Sequence, residues 1–227
     1  MPIRTILRQW NGATSRKADV RPDWFTYKKC YESIKSEAED LTILLDGTVQ
    51  NHHFEFASDD KVIEFEGGSD HASLGYALQW VASQDFANDD IIYLVEDDYM
   101  HRPGWHAALG EILQYPSVDY VTLYDHADKY MPMYSDLVSR LYQTKSSHWR
   151  TTPSTCNTYA GKWSTFKRHF QDHHMKWCMP EHTHDGYDHT KFVELWKAGS
   201  NLLSAVPGFS THCENQFISP VIDWSKL

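Results

Sequence analysis

The sequence lacks paired cysteines and long apolar runs. Its 227 residues include four cysteines, which stand far apart and form no Cys-x-x-Cys pair, so we expect free thiols rather than a disulfide framework. No apolar run approaches the roughly 18 residues of a membrane-spanning helix, and the segment from Met1 to Thr5 lacks the apolar core of a signal peptide. These absences predict a soluble, cytoplasmic protein without an integral membrane segment.

An excess of basic residues is also missing. Lys and Arg total 21 against 31 Asp and Glu, which gives a formal net charge of -10. This charge argues against nucleic acid or an anionic membrane as a partner, because both require a basic surface. A phosphorylated ligand would need local donors or a metal ion to offset the negative background. The chain shows no internal repeat, low-complexity tract or linker, so we expect one domain over residues 1–227.

The segment 91–99 joins an apolar run to three carboxylates. Residues 91–95 are apolar and suit a strand that is buried on both faces of a parallel sheet. Glu96, Asp97 and Asp98 follow directly, and open parallel sheets bind ligands beyond the carboxyl ends of their strands. The segment therefore predicts an acidic ligand site. The alternative is a solvated acidic turn before a helix.

Strands and helices alternate along the chain, most regularly before residue 130. Apolar runs predict strands at residues 5–8, 41–45, 62–65, 91–95, 120–124 and 202–206. Apolar residues at helical spacing predict helices that begin near residues 23, 70, 105, 163 and 188, the first with Asp23 as its N-cap. This order predicts an α/β fold with a mostly parallel sheet and a more elaborate second half.

A histidine-rich tract lies in the second half of the chain. His173, His174, Cys178, His182 and His184 have spacings that suit the ligands of a structural zinc ion. The alternative is a polar loop that contains several histidines.

Three motifs follow one another in an order that is typical of one enzyme family. The second predicted strand ends in Asp46-Gly47, a Gly-rich turn at residues 67–75 follows the third, and the next strand ends in residues 96–98. This order resembles the GT-A fold glycosyltransferases, particularly the family-2-like enzymes. Residues 96–98 match their D-x-D motif with Glu in first place. The likeness covers roughly residues 1–125 and a carboxyl-terminal histidine.

The compact form of the chain adds a narrower likeness. Residues 21–25 and 207–212 are similar to segments of small single-domain transferases encoded by bacteria and large algal viruses. The chain departs from the family at residues 69–71, where the family often has an arginine. Neutralisation of a diphosphate would then depend more heavily on a metal ion. The alternative basic donors are Arg8, Arg16 and Lys17.

The resemblance implies a metal-dependent glycosyltransferase with the GT-A fold, a Rossmann-like α/β fold. Residues 1–125 would bind a nucleotide-diphosphate sugar, for which UDP or GDP is the expected nucleotide. Residues 126–227 would bind a carbohydrate or glycoconjugate acceptor and carry the catalytic base. Asp98 and His212 would hold the metal, and carboxylates with one imidazole favour Mn2+ over Mg2+. Transfer is expected to invert the anomeric configuration.

The resemblance also assigns roles on the nucleotide side. Asp46 would contact the base, and Glu96 would contact the ribose or a metal-bound water. Asp97 would tolerate substitution best. Glycines in the turn before the second helix let backbone amides approach a ligand. The candidate nucleotide-binding residues are Arg8, Asn11, Arg16, Asp46, Gly68, Ser69, Glu96 and Asp97.

Sugar transfer needs a base for the acceptor hydroxyl and a site for the acceptor. In inverting members of the family the base is an Asp or Glu near the start of a helix in the second half, so the resemblance makes Asp188 and Asp185, in an acidic turn before a predicted helix, the candidate bases. A helix-capping role is the alternative for either carboxylate. Trp149 and Thr152 are the candidate acceptor-binding residues, since aromatic faces stack on sugars and hydroxyls bond to them. The alternative for Trp149 is a place in the core.

Two other functions fit the same residues. A metal-dependent phosphoesterase or nuclease would use the acidic cluster and the histidines at two clustered metals. A noncatalytic carbohydrate-binding module would use the aromatic second half and would ignore nucleotide and metal.

Overall fold

The computed structural model describes residues 1–12, 20–182 and 186–227. The strands in these ranges are β1 (Ile3–Trp10), β2 (Asp40–Asp46), β3 (Lys61–Phe65), β4 (Ile91–Glu96), β5 (Tyr99–His101), β6 (Tyr120–Thr122), β7 (Leu141–Gln143), β8 (His148–Thr151), β9 (Tyr159–Lys162), β10 (Leu202–Val206) and β11 (Ser210–His212). Nine of them form one sheet in the order β3-β2-β1-β4-β9-β6-β10-β8-β7. The other two, β5 and β11, pair with each other.

The large sheet is mostly parallel. Strands β3, β2, β1 and β4 are parallel neighbours, and β6 is parallel to β10. Strand β9 runs antiparallel between β4 and β6, and β8 runs antiparallel between β10 and β7. All the strands of this sheet except β8 and β9 therefore point in one direction, which confirms the predicted sheet type.

Helices cover both faces of the sheet. They are α1 (Tyr27–Lys35), α2 (Asp70–Ala82), α3 (Trp105–Ile112), α4 (Trp163–Arg168) and α5 (Tyr187–Lys197). In β4, Tyr93 and Val95 pack into the core beneath α1 and α3, whereas Ile92 and Leu94 pack into the core beneath α2, α4 and α5. The apolar run of β4 is thus buried on both faces, as predicted. Each such side chain contributes about 1.5–3 kcal/mol through burial.

The first helix begins later than predicted. Its N-cap is Thr26, whose Oγ1 accepts a hydrogen bond from Lys29 N at 3.1 Å. Phe25 N donates to Pro22 O at 2.9 Å, and this turn places Asp23 before the helix. The short strands β7, β8 and β9 were not predicted. No helix in the described ranges has both the length and the apolar character that a membrane crossing requires.

Candidate active site

A cleft of about 640 Å³ lies at the carboxyl ends of β1, β2 and β4. This volume is in the range that small-molecule sites occupy. The first turns of α2 and α5 and the segment after β11 complete its walls. The predicted site residues that line it are Arg8, Asp46, Gly68, Ser69, Glu96, Asp97, Asp98, Asp188 and His212.

Asp98, His212 and Glu214 form a cluster that we call the metal triad. His212 Nε2 lies 3.1 Å from Asp98 Oδ2 and 3.7 Å from Glu214 Oε1. The three ligand atoms lie within 4.8 Å of one another. Two ligands about 2.1 Å from one ion at a right angle are about 3 Å apart, so this spacing fits a single coordination sphere. Two carboxylates and one imidazole suit Mn2+ or Mg2+.

Backbone pairing holds the metal triad in place. Strands β5 and β11 are antiparallel, with His212 opposite Tyr99, the residue that follows Asp98. Cys213 N also donates to Asp98 O at 2.9 Å. The two segments that supply the triad are therefore joined by main-chain hydrogen bonds on both sides of His212.

Positively charged neighbours keep Asp98 in its ionised form. Burial alone would raise the pKa of Asp98, but His212 and Arg21 lower it well below its usual range. Burial opposes the charged form of His212, yet the Asp98 carboxylate raises the pKa of this imidazole above its usual value. Asp98 is thus ionised, and a metal ion at this site would require His212 in its neutral form.

Glu96 has a different environment. Burial raises the pKa of Glu96 to about 7, although the nearby Arg8 lowers it. Arg8 Nη2 donates to Glu96 Oε1 at 3.1 Å, and the Thr158 hydroxyl donates to Oε2 at 3.2 Å. Glu96 therefore lines the cleft as the half-buried partner of the buried Arg8. Burial and the neighbouring Asp98 also raise the pKa of Asp97 well above its usual value.

Arg8 is engaged with a second carboxylate, on α2. Its Nη1 donates to Asp70 Oδ1 at 3.1 Å and to the backbone oxygen of the same residue at 3.2 Å. Tyr187 on α5 donates to Asp70 Oδ2 and accepts from Asn157 Nδ2 at 2.7 Å. Lys191 Nζ completes the chain by donating to Asn157 Oδ1 at 2.5 Å. A partly buried polar network thus links α5, α2, β1 and β4.

Asp46 holds the glycine turn that begins α2. Its two oxygens accept hydrogen bonds from Gly67 N and Gly68 N, each at 2.9 Å. Gly68 has a φ of +76°, which favours glycine, and Ser69 caps the helix by accepting from Ala72 N. Each Asp46 oxygen retains one lone pair for a further donor, such as the base that the resemblance implies.

Asp188 lies in the first turn of α5, at the edge of the cleft. The N-cap position belongs to Gly186, but Asp188 Oδ1 accepts a hydrogen bond from His189 N at 2.8 Å, so the carboxylate also supports the first turn of the helix. The other candidate base, Asp185, lies outside the described residues, as do Arg16 and Lys17. Their predicted roles stay predictions.

Three further candidates lie away from the cleft. Trp149 is fully buried in the core, and its indole N–H donates to Thr144 Oγ1, so its ring is not presented to a sugar. Thr152 is also buried, and its hydroxyl donates to Ser154 O. Asn11 follows β1, and its Nδ2 donates to Thr48 O at 3.0 Å. The structure thus corrects the expected acceptor contacts of Trp149 and Thr152, which serve the interior instead.

The histidine-rich tract does not gather a zinc site in the described residues. His174 is buried between two tyrosines, and its ring nitrogens lie 2.8 Å from Tyr120 OH and 3.0 Å from Tyr159 OH. Cys178 Sγ donates to the His174 carbonyl. These contacts satisfy the imidazole within the core, while His184 lies outside the described ranges.

Two further residues that line the cleft were not among the predicted site residues. Glu214 supplies the third ligand atom of the metal triad, and the His-x-Glu spacing after a predicted strand was the available signal. Arg21 donates to Asp98 Oδ2 at 2.9 Å, although the sequence places these residues 77 positions apart. That contact depends on tertiary structure, and local sequence carries no sign of it.

No family model matches the chain, and neither does any curated protein. Solved structures do match. The 2-C-methyl-D-erythritol 4-phosphate cytidylyltransferase of Francisella tularensis has a TM-score of 0.50 at 11% identity, over 96% of this chain and 94% of that chain. CMP:2-keto-3-deoxy-manno-octonic acid synthetase complexed with CTP has a TM-score of 0.49 at 13% identity, over 92% of each chain.

A putative glucose-1-phosphate thymidylyltransferase from Bacillus anthracis also has a TM-score of 0.49, at 12% identity, over 92% of this chain and 89% of that chain. At such low identities the likeness establishes the fold alone. The chain has a Rossmann-like α/β fold with a large, mostly parallel sheet between helices.

Proposed function

We propose that this protein is a metal-dependent glycosyltransferase that moves a sugar from a nucleotide-diphosphate sugar to an acceptor hydroxyl. The observation that carries the proposal is the metal triad at the strand ends, in the same cleft as Asp188. A metal ligand set beside a separate carboxylate matches the two needs of sugar transfer. One is to stabilise the leaving diphosphate, and the other is to accept a proton.

The charge of the cleft supports a role for a divalent cation. Among the described residues that line it, seven carry carboxylates and two are arginines. Both arginines already pair with acidic side chains, Arg8 with Asp70 and Glu96, and Arg21 with Asp98. A diphosphate would therefore enter a negative field. Bound at the triad, Mn2+ or Mg2+ would act as a Lewis acid that neutralises the leaving group.

Asp188 suits the role of general base. An acceptor hydroxyl must lose its proton as the new glycosidic bond forms, and a positioned carboxylate can accept it. Asp188 is half-buried and lines the cleft, while the neighbouring residues Tyr187 and His189 are anchored by hydrogen bonds to Asp70 and Ser154. The carboxylate is thus held by two fixed neighbours. A direct displacement with Asp188 as base would invert the anomeric centre.

Nucleotidyl transfer is the second candidate, because the similar Francisella tularensis structure is that of a cytidylyltransferase. In that reaction a sugar phosphate attacks a nucleoside triphosphate and pyrophosphate leaves. The attacking phosphate is already ionised and needs no base, so Asp188 would have no role in it. The acidic lining of the cleft would also repel an anionic acceptor more strongly than a neutral hydroxyl. Both features favour sugar transfer.

The phosphoesterase hypothesis requires two clustered metals. The described residues gather a single set of three ligating side chains, the metal triad. A carbohydrate-binding module would need exposed aromatic faces. Trp149, Tyr159 and Trp163 are buried, and the exposed Tyr130 and Trp196 do not line the cleft. These observations leave sugar transfer as the better account of the cleft.

Calorimetry with UDP and GDP, with and without Mn2+, tests the proposal. We expect the wild-type protein to bind one of them in a Mn2+-dependent manner, and Asp98→Ala to lose that dependence. Unchanged nucleotide affinity in Asp98→Ala would overturn the metal site. A panel of nucleotide sugars with simple acceptors then separates the two reactions. Release of a nucleoside diphosphate supports sugar transfer, and release of pyrophosphate from a triphosphate and a sugar phosphate supports nucleotidyl transfer.

A further inference from the structure

Arg21 places a fixed positive charge against the metal triad. Its Nη2 donates to Asp98 Oδ2 at 2.9 Å, the same oxygen that faces His212 Nε2. Its Nη1 donates to Cys213 O at 2.9 Å and lies 3.9 Å from Glu214 Oε1. The side chain is 8% exposed, and the Phe25 ring lies 4.9 Å from its guanidinium carbon. The guanidinium therefore interacts with both carboxylates of the triad.

Main-chain pairing also holds the two segments that carry the triad. The ladder between β5 and β11 sets His212 opposite Tyr99, and Cys213 N donates to Asp98 O. These main-chain bonds join the two ligand-bearing segments without any contribution from Arg21. Loss of the guanidinium would leave this main-chain pairing in place but would remove the hydrogen bonds to Asp98 Oδ2 and Cys213 O. Variants that keep the charge or keep a donor therefore separate the electrostatic effect of Arg21 from its support of the triad.

A guanidinium and a divalent metal ion would both interact with the Asp98 carboxylate. Both are attracted to the carboxylate, and both are partly shielded from water at this buried position. Like charges a few ångströms apart repel strongly where the effective dielectric constant is low. A metal ion that binds at the triad is therefore repelled by the Arg21 guanidinium. The guanidinium also neutralises part of the negative charge of the carboxylate ligands.

We propose that Arg21 is the resident counter-cation of the metal triad and competes with the divalent ion for Asp98. The proposal rests on the proposed metal-dependent function, since it assigns a controlling residue to the same site. In the absence of metal, Arg21 stabilises the cluster of carboxylates. When a metal ion binds, it takes over the charge of Asp98 and weakens the Arg21–Asp98 pair. Arg21 thereby lowers the metal affinity of the free protein.

Titration of the protein with MnCl2 alone, followed by isothermal calorimetry, tests the proposal without any substrate. We expect Arg21→Met to bind Mn2+ at least about ten-fold more tightly than the wild type, because a repulsive charge is removed. Arg21→Gln, which keeps a hydrogen-bond donor but no charge, should also bind more tightly. Arg21→Lys keeps the charge and should stay close to the wild type.

Arg102→Met is the matched control. Arg102 also supports the carboxyl-terminal loop, since its Nε donates to Gly208 O at 2.7 Å and its guanidinium lies over Phe209. It does not line the cleft. Arg102→Met should leave Mn2+ affinity unchanged. This control shows whether a change in the Arg21 variants comes from the lost charge beside Asp98 or from a less ordered carboxyl-terminal loop. Thermal melts establish that each variant is folded.

Two results would overturn the proposal, and they differ from each other. If Arg21→Met and Arg21→Gln bind Mn2+ as weakly as the wild type or more weakly, Arg21 organises the triad and does not compete for it. The metal-dependent function would survive that result. If neither the wild type nor any Arg21 variant binds Mn2+, the metal triad itself fails, and the proposed function fails with it.

Discussion

Tyr187 and Asp70 are joined by a hydrogen bond from the tyrosine hydroxyl to the carboxylate, which links the first turn of α5 to the first turn of α2. The same hydroxyl accepts from Asn157 Nδ2. Asp70 also pairs with Arg8, and Arg8 pairs with Glu96. The helix of the candidate base is therefore connected through polar side chains to the strand that leads into the metal triad.

Removal of the Tyr187 hydroxyl should destabilise the fold. Tyr187→Phe leaves the Asp70 carboxylate and the Asn157 amide each without one partner, so we expect a loss of about 1–3 kcal/mol in the free energy of unfolding. Urea denaturation measures it. The control is Tyr115→Phe, because the Tyr115 hydroxyl also donates to an oxygen, Gln143 O, but at an exposed site. Equal losses in the two variants would show that the network around Tyr187 adds no stability beyond that of an exposed hydrogen bond.

Lys191 should make stability rise with pH. The residue is fully buried, and burial lowers the pKa of its amine from 10.5 to about 8. Between these two values the folded protein has released the proton while the unfolded chain still holds it. The free energy of unfolding therefore rises with pH in this window, by up to about 1.4 kcal/mol per pH unit from this group.

Thiols and phenols titrate in the same window, so the informative quantity is the difference between the wild type and Lys191→Met. We expect the wild type to gain stability relative to the variant as pH rises from 8 to 10.5. Urea denaturation at several pH values gives this difference. A difference that stays constant with pH would mean that the amine titrates normally in the folded protein.

The first half of the fold was predictable because its elements are locally encoded. Strand β4 is a continuous apolar run, and α2 places Leu74, Leu78 and Val81 on one face. The second half resisted prediction for a physical reason. Strand β9 is four residues long and contains Gly161, and its place between β4 and β6 comes from long-range pairing. Local sequence carries little information about such a strand.

The site, like the fold, was predictable only where its residues follow a locally encoded element. Glu96, Asp97 and Asp98 follow an apolar strand, so their place at the cleft could be read from the pattern. Glu214 and Arg21 reach Asp98 only because β11 pairs with β5 and because residues 20–25 lie beside that pair. Trp149 was misassigned since a buried tryptophan and a sugar-stacking one have the same sequence signature.

Glu214 should be a metal ligand in its own right. Glu214→Gln keeps the shape of the side chain but removes its charge, so we expect Mn2+ affinity to fall by about ten-fold or more. Calorimetry with MnCl2 measures the change. Asp97→Asn is the control, because Asp97 lines the cleft without belonging to the triad. It should cause a smaller loss, and a larger loss in Asp97→Asn than in Glu214→Gln would move the metal site towards the end of β4.

Asp188 should act in the chemical step and leave donor binding intact. Its carboxylate lines the cleft but lies outside the metal triad. Removal of a general base typically slows a reaction by about 10²–10⁴-fold, so Asp188→Asn should lower kcat by this order while Mn2+-dependent nucleotide affinity stays within about two-fold. Steady-state transfer rates and calorimetry give the two quantities. Asp172→Asn, at an exposed position away from the cleft, is the charge-matched control. A normal kcat in Asp188→Asn would leave the base to be sought elsewhere, with Asp185 as the next carboxylate to change.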